Sequence, residues 1–256
     1  MPRANLTLYW QHGCTSCLRV REFLVEHGLA FESINVAESP TARQALMTLG
    51  ARSIPVLVCG RDWIHGQDID ELARFVGITL VRHPIEPTEL ISRLDYFLVT
   101  AIQLTQHIPD GLLEVELPAR ADRTTADLAA HIAWIVRGFL IASLGGELEF
   151  RHFEMQPKGT ERTIQGLTEI LQQTQQDLYL WWQDAESSPP PTVVTYYGIQ
   201  TLHSVLERTA WHVAQHCRQL EWVLRNANVA LPQTISATAL AQLPLPTGIW
   251  DREKSN

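Results

Sequence analysis

The chain has 256 residues, 20 lysines and arginines against 28 acidic residues, and a formal net charge of -8. With no basic run, neither nucleic acid nor an anionic membrane surface is expected as a partner, because both select clustered positive charge. The length suits one large or two small domains, and two is the expectation. No stretch approaches the roughly 18 to 20 uninterrupted apolar residues of a membrane span, and Met1 leads into a strand without an apolar leader, so a soluble, cytoplasmic protein is expected. Four cysteines are too few for a disulfide scaffold. In a reducing compartment a close pair is more often redox-active or metal-binding than structural.

The first eighty residues alternate β-branched runs with helical periodicity. Leu6 to Trp10 reads as a strand, Ser16 to His27 as a helix, Phe31 to Asn35 as a strand and Thr41 to Leu49 as a helix. Val56 to Cys59 reads as a strand and Asp68 to Val76 as a helix, which completes a small α/β unit over residues 1–80. Residues 81–88, with Pro84 and Pro87, break the periodicity and read as a linker. From 89 to 231 the apolar residues recur at spacings of three and four over Thr88 to His107, Thr125 to Leu144, Thr163 to Asp184 and Gly198 to Ala227. This predicts an all-α antiparallel four-helix bundle. Thr124 and Thr125 precede the second of these helices, and Asp127 lies early in its first turn, where the helix dipole favours a carboxylate. Ser187 to Pro191 reads as a surface loop, and residues 232–256 as a weakly patterned, irregular tail.

Cys14 falls where a strand gives way to a helix, so unpaired backbone N–H groups and the positive helix end favour its thiolate. Cys14 is therefore expected to be the nucleophile and Cys17 the resolving partner. Cys59 and Cys217 read as small buried residues. Residues 5–78 resemble a glutaredoxin, carried by Cys14-Thr15-Ser16-Cys17, by Ile54-Pro55-Val56 and by Gly66-Gln67-Asp68. The resemblance implies a thioredoxin fold with a cis-proline at Pro55 beside the active cysteine. It also implies that glutathione or a similar low-molecular-weight thiol is held by Ile54, Pro55, Val56, Gln67 and Asp68. Thr15-Ser16 replaces the family's usual proline and aromatic residue, and Gln11-His12 stands where a basic residue usually precedes the first cysteine.

His212 and His216 are four residues apart on a helix, about 40° in direction, so both imidazoles reach one ion. Val205, Thr209, Leu220 and Val223 share their stripe, which turns them to the interior; His131 lies on the inward line of Leu128, Ile132 and Ile135 and supplies a third ligand. Buried imidazoles need partners for their nitrogens, and a cation satisfies them. Three neutral histidines leave positions open for water or substrate. Residues 89–230 resemble the DinB-like superfamily, carried by Leu128 to Ile132 and by Leu206 to Leu220. That resemblance implies a zinc, nickel or iron ion on His131, His212 and His216, and a likeness to mycothiol- or bacillithiol-dependent transferases and isomerases. His107 and His203 read as surface or supporting residues, and Trp134, Trp181, Trp182 and Trp211 as possible pocket walls.

The two resemblances together imply a glutathione-dependent metalloenzyme, of thiol S-transferase or isomerase type, acting on a small electrophile. The first unit would supply or recycle the thiol, or resolve a mixed disulfide through Cys14. The alternatives are a glutathione-dependent disulfide oxidoreductase with the bundle as a structural partner, and a non-catalytic module that responds to redox state or metal. A homodimer paired through helix faces fits each reading.

Overall fold

The computed structural model describes residues 5–118, 120–185 and 189–251. Among these, 5–84 together with 246–251 form one compact unit, and Ile85–Leu245 form a second.

The first unit runs β1 (Leu6–Trp10), α1 (Thr15–Glu26), β2 (Phe31–Asn35), α2 (Pro40–Leu49), β3 (Val56–Cys59), β4 (Asp62–His65) and α3 (Ile69–Val76). Its sheet has the order β2-β1-β3-β4, with β1 parallel to β2 and antiparallel to β3, and β3 antiparallel to β4. The two-residue period of β1 puts Leu6, Leu8 and Trp10 on one face, where they pack with Val20 and Leu24 of α1 and Leu72 and Val76 of α3. Tyr9 and Val58 occupy the other face with Ala42 and Leu46 of α2. The strand β4 goes beyond the sequence reading. Its signal was short: four residues after a turn in which Gly60 adopts φ 64°.

The second unit is largely helical, with α4 (Pro87–Gln106), α5 (Thr125–Ser143), α6 (Ile164–Ala185), α7 (Leu202–Asn226) and the single turn α8 (Ala237–Leu240). Helix α4 packs on α6 and α7, and α5 packs on the same two, around Leu94, Leu98, Ile132, Leu171 and Leu220. Short strands β5 (Glu116–Leu117) and β6 (Arg120–Thr124) pair before α5, and β7 (Glu147–Leu148) joins the hairpin β8 (Thr192–Thr195) and β9 (Gly198–Thr201). The fourth long helix thus starts at Leu202 rather than Gly198. The β-branched run Thr192 to Thr195 pairs with Gly198 to Thr201 through a turn at Tyr196-Tyr197, and Thr201 then caps α7 by accepting from Ser204 N–H at 3.1 Å. Of the expected loop, Ser187 and Ser188 lie outside the described residues.

Helix α5 agrees with the expectation that no uninterrupted apolar span is present among the described residues. Among the described residues it is the one helix long and apolar enough to cross a membrane, with a mean hydropathy of 1.3, yet 83% of that window is buried inside the protein. It is the innermost helix of its unit, and His131 and Arg137 interrupt its apolar sequence. The segment expected as an irregular tail is also partly ordered by specific bonds. Ser236 N–H donates to the Tyr96 hydroxyl at 2.9 Å in the second unit. In the first unit Gly248 N–H donates to the Glu22 carboxylate at 2.9 Å, and Asp251 pairs with Arg21.

Candidate functional site

Cys14 is the N-cap of α1, its sulfur accepting from Cys17 N–H at 3.2 Å, and the two cysteines are joined in a disulfide with their Cα atoms 5.2 Å apart. Cys17 is buried and Cys14 half-buried, so Cys14 is the sulfur an incoming group reaches more readily. The Ile54-Pro55 peptide is cis. Pro55 carbonyl accepts from Gly66 N–H at 3.1 Å, and the Gln67 side chain donates to the Ile54 carbonyl at 3.1 Å.

The structure thus brings Ile54, Pro55 and Gln67 together, but it puts Gln67 in an interior position. Gln67 is 2% exposed and holds the proline turn, and Asp68 caps α3 by accepting from Glu71 N–H at 2.7 Å. Val56 lies in β3 opposite Tyr9 and His65. The sequence reading passed over Arg19, a buried guanidinium that donates to the carbonyls of Gly66 and Gln67 at 3.2 and 3.0 Å and so ties α1 to the turn before α3. Its two-residue spacing from Cys17 was the available signal. Burial holds the His65 imidazole down at about 4. Cys217 is buried as expected, and burial pushes its thiol up; Cys59 is only partly buried, because it ends an outer stretch of β3.

In the second unit His131 of α5 and His212 and His216 of α7 come together, with one ligand atom from each within 4.8 Å of the others. The imidazole centroids lie 5.8 Å apart for His131 and His212, and 4.8 Å apart for each of the other two pairs. His216 Nδ1 donates to the Gln219 side-chain oxygen at 2.6 Å, which leaves Nε2 as an acceptor turned away from that bond. This Nε2 and His131 Nδ1 are buried and have no hydrogen-bond partner among the described residues. Such atoms are costly in a protein interior. Burial, and then the neighbouring His216, hold His131 well below its usual range. His216 is lowered to about 4 by burial, against the opposing bond to Gln219. His131 and His216 are therefore neutral near pH 7, the state in which an imidazole can ligate a cation.

Helix α7 is buried around almost its whole girth, not along one stripe only, since α4, α5 and the β8–β9 hairpin cover different sides. Of the four tryptophans expected as walls, Trp211 lies against His212 at 5.4 Å, whereas Trp181 packs on Phe139 and Trp134 under Arg137. Phe153, from a short 3-10 turn after β7, instead faces both His131 and His212, at 6.1 and 5.9 Å. No local pattern marked it. His203 bonds the Ile85 carbonyl at 2.8 Å and His107 the Gln103 carbonyl at 2.7 Å, so neither belongs to the cluster.

The four-stranded sheet, the disulfide at the start of α1 and the cis-proline before β3 define a thioredoxin-like thiol redox unit. The glutaredoxin family model matches residues 6–64. The chain is 35% identical over 52 residues to the glutaredoxin-like protein NrdH of Lactococcus lactis, a match covering 20% of this chain and 72% of that protein. It is 34% identical over 56 residues to NrdH of Escherichia coli (22% and 69%), and 34% identical over 58 residues to the N-acetyl-S-hydroxy-L-cysteine reductase of Bacillus subtilis (22% and 62%). No solved structure matches the chain. Through its first unit the chain belongs to the glutaredoxin family.

Proposed function

We propose that this chain is a thiol-dependent metalloenzyme of S-transferase or isomerase type, whose helical unit is a DinB-like antiparallel four-helix bundle holding a divalent ion on His131, His212 and His216. The observation that carries the reading is the convergence of three imidazoles within 4.8 Å, two of them with buried nitrogens that no group among the described residues satisfies. The donor set suits zinc, nickel or iron. When bound, such an ion lowers the pKa of a thiol or water ligand and leaves positions open for it. Gln219 fixes the tautomer and orientation of His216, and Phe153 and Trp211 keep bulk water from the ring faces.

The glutaredoxin unit supplies or recycles the low-molecular-weight thiol, with glutathione as the model case. The Cys14 thiolate attacks one sulfur of a mixed disulfide and expels the other as a thiolate. Cys17 then attacks Cys14, releases the second thiol and leaves the Cys14–Cys17 disulfide. Two equivalents of a thiol reductant restore the pair and are themselves oxidised to a disulfide. The backbone of Val56 and the turn fixed by Pro55, Gln67 and Asp68 flank the expected thiol subsite, and a reducing cytoplasm suits the cycle. A small electrophile is the proposed second substrate, and a homodimer the proposed assembly.

Elemental analysis of tag-free protein tests the reading. About one divalent ion per chain is expected, lost when His212 and His216 are both changed to alanine; metal in neither protein, even after reconstitution, overturns it. The disulfide and the reductase among the relatives favour one second reading, a disulfide oxidoreductase in which the helical unit is only structural. Thiol exchange with full activity in metal-free protein, and no thiol consumed with any electrophile, would support that reading instead.

A further inference from the structure

Helix α1 is capped by Cys14, and Arg19, two residues beyond Cys17 on the same helix, is 4% exposed. One guanidinium nitrogen, Nη2, donates to two successive carbonyls, those of Gly66 and Gln67, at 3.2 and 3.0 Å. The two residues so held turn their own donors onto the proline turn. Gly66 N–H donates to the Pro55 carbonyl and the Gln67 side chain to the Ile54 carbonyl, each at 3.1 Å. A run of hydrogen bonds therefore joins the cysteine helix to the carbonyls of Ile54 and Pro55, and Arg19 is its link to the helix.

The packing is equally close. A Cβ on Gly66 would meet Val20 Cγ2 and Pro55 Cγ, so the turn is wedged between α1 and the proline ring. Ile54 and Cys14 both pack against the buried cluster that contains Cys17. A guanidinium is a costly filling for such a place, since a buried charge is offset only by the bonds it makes. An apolar side chain of similar length would fill the same volume at less cost. What the guanidinium adds is direction: its planar N–H groups fix where two backbone oxygens point, which an alkyl chain does not.

We infer that Arg19 is a positioning residue of the thiol site and sets its specificity. By fixing Gly66 and Gln67 it holds the Ile54–Pro55 turn rigid, and the site thereby favours disulfides with long, peptide-like arms over those with short alkyl arms. This inference rests on the thiol-exchange reading of the first unit and is independent of any metal. A two-carbon arm ends close to the sulfur that Cys14 attacks, whereas a peptide arm reaches the turn and gains from finding it already in place. Arg19 touches no substrate and acts through residues 66 and 67.

Reduced full-length protein is mixed with glutathione disulfide or with bis(2-hydroxyethyl) disulfide, and the loss of alkylatable protein thiol is followed by intact mass. In each case the Cys14 thiolate displaces one thiol and Cys17 displaces the second, so the protein pair is oxidised as the added disulfide becomes two thiols. The same thiolate attacks both probes, and its ionised fraction cancels in the ratio of the two rate constants. The wild type should favour glutathione disulfide by at least about tenfold, and Arg19→Met should lose that margin. Arg19→Lys keeps the charge without the planar group and should fail to restore it. Equal rate constants in the wild type, which need no variant, overturn the inference and leave thiol exchange standing. A margin kept by Arg19→Met overturns it, as does one restored by Arg19→Lys, which would make the residue a charge that attracts the anionic probe. Circular dichroism that shows both variants unfolded overturns it as well, because Arg19 would then serve the fold alone. A wild type that reacts with neither disulfide defeats the thiol-exchange reading and the inference with it.

Discussion

Cys14 and Cys17 differ in one respect that decides their chemistry: the first caps a helix and is partly open, the second is sealed in the core. Cys14→Ser should abolish thiol–disulfide exchange while metal content, read by elemental analysis, stays unchanged; loss of both would contradict two independent sites. Cys17→Ser should instead trap a mixed disulfide on Cys14, visible by intact mass. His65 shows how burial is read as pH dependence. Its folded imidazole titrates near 4, whereas in the unfolded chain it titrates near 6.5. Between these values the unfolded chain binds more protons, so the first unit should lose stability as pH falls from about 6.5 to about 4. Urea midpoints at pH 7.5 and 5.0 should show this loss, and His65→Gln should reduce it. Arg19 lies two residues after Cys17, but only its buried partners, the Gly66 and Gln67 carbonyls, show what it holds.

The helix starts were legible wherever a side chain caps its own backbone. Thr124 accepts from Asp127 N–H, the Asp127 carboxylate accepts from Thr124 N–H at 2.9 Å, and Arg162 donates to Asp127 at 2.8 Å. This box fixes the start of α5 less than two turns before His131. Thr124→Ala should cost about 1 kcal/mol of stability in thermal or urea unfolding and weaken metal retention in a chelator competition. The turn before α3 illustrates a second local requirement. A Cβ on Gly66 would stand 2.5 Å from Val20 Cγ2 and 3.2 Å from Pro55 Cγ. Gly66→Ala should therefore destabilise the first unit by roughly 1–3 kcal/mol and slow thiol exchange by shifting the proline turn. The short strands β4 to β9 escaped the sequence reading because runs of two to five residues hold too little periodicity, and their pairing partners are set by distant chain.

Residues 246–251 belong to the first unit although the whole helical unit separates them from it in sequence. Glu22 accepts from Gly248 N–H, Arg21 pairs with Asp251, and Trp250 is 9% exposed. Ending the chain after Leu245 should lower the unfolding midpoint of the first unit by several degrees in calorimetry while metal content holds. The sequence by itself determined the alternation of strand and helix in the first eighty residues, the Cys14–Cys17 pair at a helix start, the four long helices and the inward spacing of His212 and His216. These rest on local periodicity and capping, which neighbours along the chain decide. Only the tertiary structure decided that Phe153 stands beside the three histidines, that Gln67 closes the proline turn, and that the far end of the chain returns to α1. Those contacts join residues tens to hundreds of positions apart, and such pairs are chosen by packing and charge in three dimensions, which no periodicity in one dimension records.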